Sequence, residues 1–270
     1  MSEITAPLRS QLQELTHEIN ETGVDPFEGY ELMCRRLGKL GLWFDTYCSS
    51  SITSGGHARN NDLNIGQIIQ KNTDSAFDLC DELFKVGQLS PRKAIEAVAV
   101  GKINGWGQSD YMEFWLNVMA RPRHDGAGAA HRLDTLRNNF AGALDQHSEV
   151  DMTIYNSSKF TAEQRAPHYI KHADIYADVV RQADIEATPI DRLVRLIDTD
   201  TSLGAQTENY FAKIMGIQVM NVAIAQVGND HLPAHYPSSR LVKDTDDIVR
   251  FGGHVFSTER RTQLVLVPAE

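Results

Sequence analysis

Two histidines, His168 and His172, stand four residues apart in the stretch "APHYIKHADIYADVVRQADI" (166–185). On a helix this spacing places both side chains in one row, together with Ile175 and Val179. Such a pair can chelate one cation, and near a helix N-terminus the macrodipole disfavours the protonated ring, which keeps the imidazole able to act as a ligand. The alternative is a pair that packs in the core or against a partner. We predict packing as the first role of these histidines and metal binding as the second.

A second pair with the same spacing, His231 and His235, lies in "HLPAH". Pro233 stands between them and disfavours a continuous helix through that turn. If the two pairs met in space, they would offer four imidazole nitrogens, a ligand type that suits Zn or Fe. The sequence does not show that they meet, so the first expectation is a protein without a cofactor, and a histidine-bound transition metal is the alternative.

A third candidate site is the Gly-rich stretch "RPRHDGAGAAHR" (121–132), which carries Arg121, Arg123 and Arg132. Backbone amides at a helix N-terminus attract anions, and arginines add charge-assisted hydrogen bonds to them. The stretch is no P-loop, because no Gly-Lys-Ser/Thr closes it. We expect a connection between helices here, with an anion-binding or nucleotide-binding site as the alternative.

The elements that carry these residues have helical patterns as far as residue 228. Helices are expected over about 27–47, over the stretch that Ser109 would cap, over "TPIDRLVRLID" (188–198) and over 206–227. After residue 228, "DIVRFGGHVF" and "TQLVLVP" are rich in Val, Phe and Leu with some alternation, which predicts a terminal β-hairpin. We therefore predict a mainly α protein: a helical bundle over 1–228 and a loop and β extension over 229–270 that docks on the same domain or on a neighbour.

Composition limits the partners. The chain has 26 Lys and Arg against 36 Asp and Glu, a net charge of −10, which opposes binding to nucleic acid or to an anionic membrane surface. The start "MSEITAPLRS" has no basic region followed by an apolar run, which predicts a cytoplasmic protein. The most apolar stretch, 210–228, is interrupted by polar residues on several sides, which favours a buried helix over a transmembrane one.

The segment "LNIGQIIQKNTDSAFDLCDELFKVGQLS" (63–90) resembles the central helix of phasins, the helical proteins that coat polyhydroxyalkanoate granules. The resemblance rests on the following residues: Asn72, Thr73, Ala76, Phe77, Asp78 and Leu83. It implies helices that adsorb through an apolar stripe to a hydrophobic surface or to each other, and it implies no catalytic residue.

Two functions follow from these patterns. The first is a non-enzymatic helical protein that self-associates as a homo-oligomer or coats a hydrophobic surface or a protein partner, with aromatic residues around Trp106, Phe114 and Trp115 on its working face. The alternative is a helical metalloenzyme with a histidine-bound transition metal. The sequence alone does not decide whether the protein is an enzyme.

Overall fold

The structure is a computed structural model that describes about half of the chain: residues 26–39, 46–49, 62–64, 67–68, 106–120, 129–183, 190, 192–196, 202–222, 248–251, 254–257 and 262–265. The helices in these parts are α1 (Pro26–Lys39), α2 (Gln108–Ala120), α3 (Ala129–Asp145), α4 (Met152–Asn156), α5 (Ala162–Gln182) and α6 (Leu203–Met215). Helices hold most of the described residues, which confirms the predicted mainly α class. Among these residues, no helix has the length and apolar character needed to cross a bilayer.

The described strands add a feature that the sequence patterns did not predict. They are β1 (Thr46–Ser49), β2 (Arg192–Leu196), β3 (Gln218–Val222), β4 (Ile248–Phe251), β5 (His254–Ser257) and β6 (Thr262–Val265). Four of them form a parallel sheet in the order β1-β2-β3-β6. Helix α6 connects β2 to β3 and packs against both strands, so β2, α6 and β3 form a βαβ unit.

The sheet corrects three of the predicted helices. The segment "RLVRL" inside the expected helix 188–198 is strand β2, and the expected helix 206–227 ends at Met215, before strand β3. Helix α1 ends at Lys39 and not near residue 47, where the chain is already in β1. In each case the strand is four or five residues long. A segment this short fits a strand and a buried helix equally well, so the spacing of its hydrophobic residues does not decide between the two.

The C-terminal strands agree in part with the expected hairpin. Strands β4 and β5 pair antiparallel, with Phe251 opposite His254 and Ile248 opposite Ser257. The "TQLV" part of the expected hairpin instead pairs parallel with β3 and extends the main sheet.

The ends of α6 are fixed by local hydrogen bonds. Ser202 caps the start, since its hydroxyl accepts from the Ala205 amide at 3.3 Å. Gly216 ends the helix in the left-handed region with φ 89°, and the Ile217 amide donates back to the Ala212 carbonyl at 2.8 Å. The left-handed Gly216 and the hydrogen bond from Ile217 to Ala212 form a Schellman motif, after which the chain enters β3.

The core forms around α2, in which seven consecutive residues, Phe114 to Ala120, are buried. Phe27 and Tyr30 of α1 contact the ring of Phe114 edge-on at 5.3 and 6.3 Å. Trp115 is 5% exposed, so the aromatic face that the sequence suggested for a partner lies largely inside this chain.

Candidate functional site

The first predicted ligand, His168, serves the start of a short helix. Its Nδ1 atom accepts a hydrogen bond from the Asp151 amide at 3.0 Å, and the Asp151 carboxylate in turn accepts from the amides of Thr153 and Ile154 at the start of α4. These two amides also lower the pKa of Asp151. A neutral imidazole has one nitrogen with a free lone pair, and the Asp151 amide occupies it here. His168 therefore has no free lone pair for a metal in this arrangement.

The second predicted ligand, His172, lies in the core. It is 1% exposed, and its ring centroid is 4.9 Å from that of Phe140 and 5.1 Å from that of Tyr155. Burial lowers the pKa of His172 to about 3, so the ring is neutral near pH 7. Its Nδ1 atom has no hydrogen-bond partner.

The described residues do not bring a metal site together. Within them, no group of three or more His, Cys, Asp or Glu side chains is arranged to hold a metal ion. His231 and His235 lie outside the described residues, as do Arg121 and Arg123. Arg132 lies in α3, but its side chain is not among those described. Metal and anion binding at these positions stay predictions.

The structure points instead to α6, a helix that is both buried and polar. Five of its polar or charged side chains are at most 5% exposed: Gln206, Thr207, Glu208, Asn209 and Lys213. The helix packs against α2 and α5 on one side and against the strands on the other, so these groups lie between layers and not at the surface. Burying polar groups is costly unless they are hydrogen-bonded, which makes their partners informative.

Glu208 is held by two hydroxyl groups from strand β1. The Tyr47 hydroxyl donates to Glu208 Oε1 at 2.9 Å, and the Ser49 hydroxyl donates to Glu208 Oε2. Tyr47 and Ser49 are fully buried and Glu208 is 3% exposed. We call these three residues the hydroxyl–carboxylate cluster.

The backbone explains how the cluster forms. Residues two apart on a strand point to the same face of a sheet, so Tyr47 and Ser49 both face α6. Ser49 is the last residue of β1 and pairs with Arg195 near the end of β2. The cluster therefore lies between the sheet and α6, near the carboxyl ends of two neighbouring parallel strands.

The cluster holds an oriented carboxyl group in the interior. Hydrogen bonds from hydroxyl groups to both oxygens of a carboxylate favour its ionised form and fix its orientation. An oriented, poorly hydrated carboxylate can act as a general base or as a nucleophile. The same contacts also anchor β1 to α6, which is the structural alternative.

The other polar residues of α6 differ in how they are satisfied. The Thr207 hydroxyl donates to the Leu203 carbonyl at 2.7 Å, and the Tyr210 hydroxyl donates to Asp174 of α5 at 2.7 Å. Asn209 is 2% exposed, and its Oδ1 atom has no hydrogen-bond partner.

The sequence patterns did not identify this cluster, because Glu208 lies 159 positions after Ser49 and 161 positions after Tyr47. Tyr47 was expected at the end of the helix predicted over about 27–47. One signal was present: the apolar segments "RLVRL" and "QVMNV" flank a helical pattern, which is typical of a βαβ unit. The strand ends of such a unit are where polar side chains are best examined for function.

Comparisons with protein-family models, with curated proteins and with solved structures find no match for this chain.

Proposed function

We propose that this protein is an enzyme that transfers or hydrolyses a group at an electrophilic carbon, with Glu208 as the nucleophile. The substrate class that fits this chemistry is a small glycoside, because carboxylates form covalent esters with the anomeric carbon of sugars. One observation carries the proposal: two hydroxyl groups of β1 converge on a single buried carboxylate of α6.

The energetics support a functional role over a purely structural one. A buried ion is a costly anchor, because apolar residues of the same volume often stabilise a core equally well or better. Charged groups that are buried in spite of this cost are concentrated at functional sites. The Oδ1 atom of Asn209, which is buried without a hydrogen-bond partner, adds a second unfavourable polar group in the same turn of α6.

The position in the fold supports the same role. Ligands of open parallel α/β sheets bind outside the carboxyl ends of the strands, and Ser49 is the last residue of β1. This support is an analogy between folds, whereas the contacts of Glu208 are specific to this chain.

The proposed step is a displacement at the anomeric carbon. A Glu208 carboxylate oxygen donates an electron pair to that carbon and forms a glycosyl ester, while the bond to the leaving group breaks and its electron pair departs with that group. An activated leaving group such as 4-nitrophenolate departs as the anion, and a poorer one takes a proton from water. Water, or the hydroxyl or amine of an acceptor, then attacks the same carbon, loses a proton to solvent and releases the carboxylate.

The test is covalent labelling of the full chain. Wild-type protein is incubated with a panel of 2,4-dinitrophenyl 2-deoxy-2-fluoro pentosides and hexosides, whose glycosyl esters hydrolyse slowly. We expect intact-protein mass spectrometry to show the addition of one glycosyl group, and peptide mapping to locate it on Glu208.

The controls are matched carboxylate variants. Glu208→Gln should not be labelled, whereas Glu113→Gln, which changes a half-buried carboxylate of α2, should be labelled like the wild type. The proposal fails if no member of the panel labels the folded wild-type chain, or if Glu208→Gln is labelled to the same extent.

Self-association is the second candidate function, and the phasin-like segment 63–90 supports it. Nearly all of that segment lies outside the described residues. Light scattering during size-exclusion chromatography tests it: a homo-oligomer has a mass of at least twice the 30.2 kDa of one chain, and a mass of 30.2 kDa at all concentrations would contradict it.

A further inference from the structure

Asn209 has an unsatisfied acceptor in the interior. Its side chain is 2% exposed, yet the Oδ1 atom has no hydrogen-bond partner. Leaving such a group unsatisfied costs about 1–3 kcal/mol, so native proteins contain few of them. The exceptions call for an explanation, and a role in catalysis is one of those that apply to native proteins.

The surroundings of Asn209 on α6 connect it to Glu208. Successive helix residues are about 100° apart around the axis. Ala205 and Ala212 are each three or four positions from both Glu208 and Asn209. They therefore lie on the same side of the helix as these two polar residues, one turn before them and one turn after them. Both alanines are buried, at 3% and 0% exposure. The polar pair is therefore flanked by methyl groups, the smallest side chains that a helix of ordinary residues can present.

We propose that Asn209 is a specificity-determining residue whose Oδ1 atom accepts a hydrogen bond from a substrate hydroxyl group. This inference rests on the proposed function, and it narrows the substrate to a sugar with a free hydroxyl group close to the carbon that Glu208 attacks. Binding then satisfies the buried acceptor, and a substrate without that hydroxyl group leaves it unpaired. Sites built on a buried hydrogen bond reject analogues that lack the bonding group far more strongly than apolar pockets do.

Asn209→Leu separates this role from a structural one, because the two roles predict opposite changes in stability. The apolar side chain removes an unsatisfied polar atom from the interior, so we expect the thermal midpoint to stay the same or to rise. Activity should fall: we expect kcat/KM for the 4-nitrophenyl glycosides that the wild type cleaves to drop by about 10- to 100-fold. Asn117→Leu is the control, because Asn117 is equally buried and its Nδ2 atom also lacks a partner, but its Oδ1 atom accepts from Tyr176 at 3.2 Å. This variant should lose stability, since it leaves the buried Tyr176 hydroxyl group without its acceptor.

Monodeoxy versions of the same glycoside identify the hydroxyl group. The wild type should discriminate strongly against one of them, and Asn209→Leu should lose that discrimination while it keeps its low rate on the parent compound. Asn209→Ala serves as the second variant in case leucine does not fit.

The outcomes are distinguishable from those of the proposed function. Failure of the wild-type chain to form a glycosyl ester on Glu208 rejects the enzyme itself. Labelling of Glu208 together with unchanged kcat/KM and unchanged discrimination in both Asn209 variants rejects only the role of Asn209. Unfolding of both variants also rejects it, because Asn209 would then be structural.

Discussion

His172 shows how burial changes what a histidine can do. Its ring lies among Phe140, Tyr155 and the rest of the α3–α5 core, and burial lowers its pKa to about 3. The ring is neutral, as a metal ligand must be, but aromatic rings pack against it, and the described residues contain no group of three or more potential ligands that could hold a metal ion. His172 therefore packs in the core of this chain.

The first prediction is that His172 makes the protein less stable in acid. The pKa is about 3 in the folded state and 6.5 in an unperturbed histidine, so below pH 6.5 the unfolded chain binds a proton that the folded chain does not. Stability is therefore complete above pH 6.5 and is lost as the pH falls from 6.5 towards 3, by at most about 1.4 kcal/mol for each pH unit. His172→Leu, which keeps a similar volume, should remove this contribution.

Urea unfolding at pH 7 and at pH 5 measures the effect. The loss of unfolding free energy between the two pH values should be smaller in His172→Leu than in the wild type. Equal losses in the two proteins would contradict a buried neutral imidazole at this position.

At the scale of elements, the turn between α6 and β3 depends on one glycine. Gly216 has φ 89°, a conformation that costs other residues about 1–2 kcal/mol. We expect Gly216→Ala to lower the free energy of unfolding by about 1 kcal/mol, because it strains the Schellman motif that ends α6.

Gly142 provides the opposite case and the control. It lies in α3, and a Cβ atom added there would have no neighbour within 4 Å. Alanine is better than glycine in a helix interior by about 1 kcal/mol, so Gly142→Ala should be neutral or stabilising. Both variants are measured by urea unfolding, and a destabilisation of the same size in both would show that Gly216 has no special backbone role.

The elements also show where sequence reasoning works and where it stops. Helix α5 was predictable, because its buried apolar residues recur at helical spacing from Ala166 to Val180, and Thr161 with Gln164 forms a capping box at its start. Strands β2 and β3 were not predictable from their period, because five residues are too few to separate a strand from a buried helix. Gly216 was the overlooked stop signal inside the apolar stretch 210–228, and it ends α6 before β3 begins.

At the scale of the molecule, the candidate site depends on contacts between distant parts of the chain. The sequence suggested sites where residues of the same type lie close together along the chain, as His168 and His172 do. The hydroxyl–carboxylate cluster joins β1 to α6 across about 160 positions, and only the parallel order β1-β2-β3 brings them together. No local pattern contains that information, since it follows from how strands pair and not from spacing along the chain.

The last prediction concerns the strength of this long-range link. Tyr47→Phe removes the hydroxyl group that donates to Glu208 and keeps the ring that packs edge-on against Trp115 at 6.2 Å. Removing a hydrogen-bond donor from a buried carboxylate destabilises the folded state more than removing one from a buried neutral acceptor. We therefore expect the free energy of unfolding to fall by about 1.5–3 kcal/mol. Tyr176→Phe is the matched control: its hydroxyl group is equally buried but donates to the neutral amide of Asn117, and its loss should cost less.

Amide hydrogen exchange of the two variants shows where the link acts. In Tyr47→Phe, exchange should accelerate most in β1 and in the β2–α6–β3 unit, which the hydrogen bonds of the cluster connect, and less in α3. In Tyr176→Phe, the faster exchange should centre on α2 and α5, which the Tyr176–Asn117 bond connects. Equal losses of unfolding free energy in the two variants, with faster exchange in the same elements, would show that the Glu208 carboxylate is not a distinct charged centre. The chemistry proposed for Glu208 would then lose its basis.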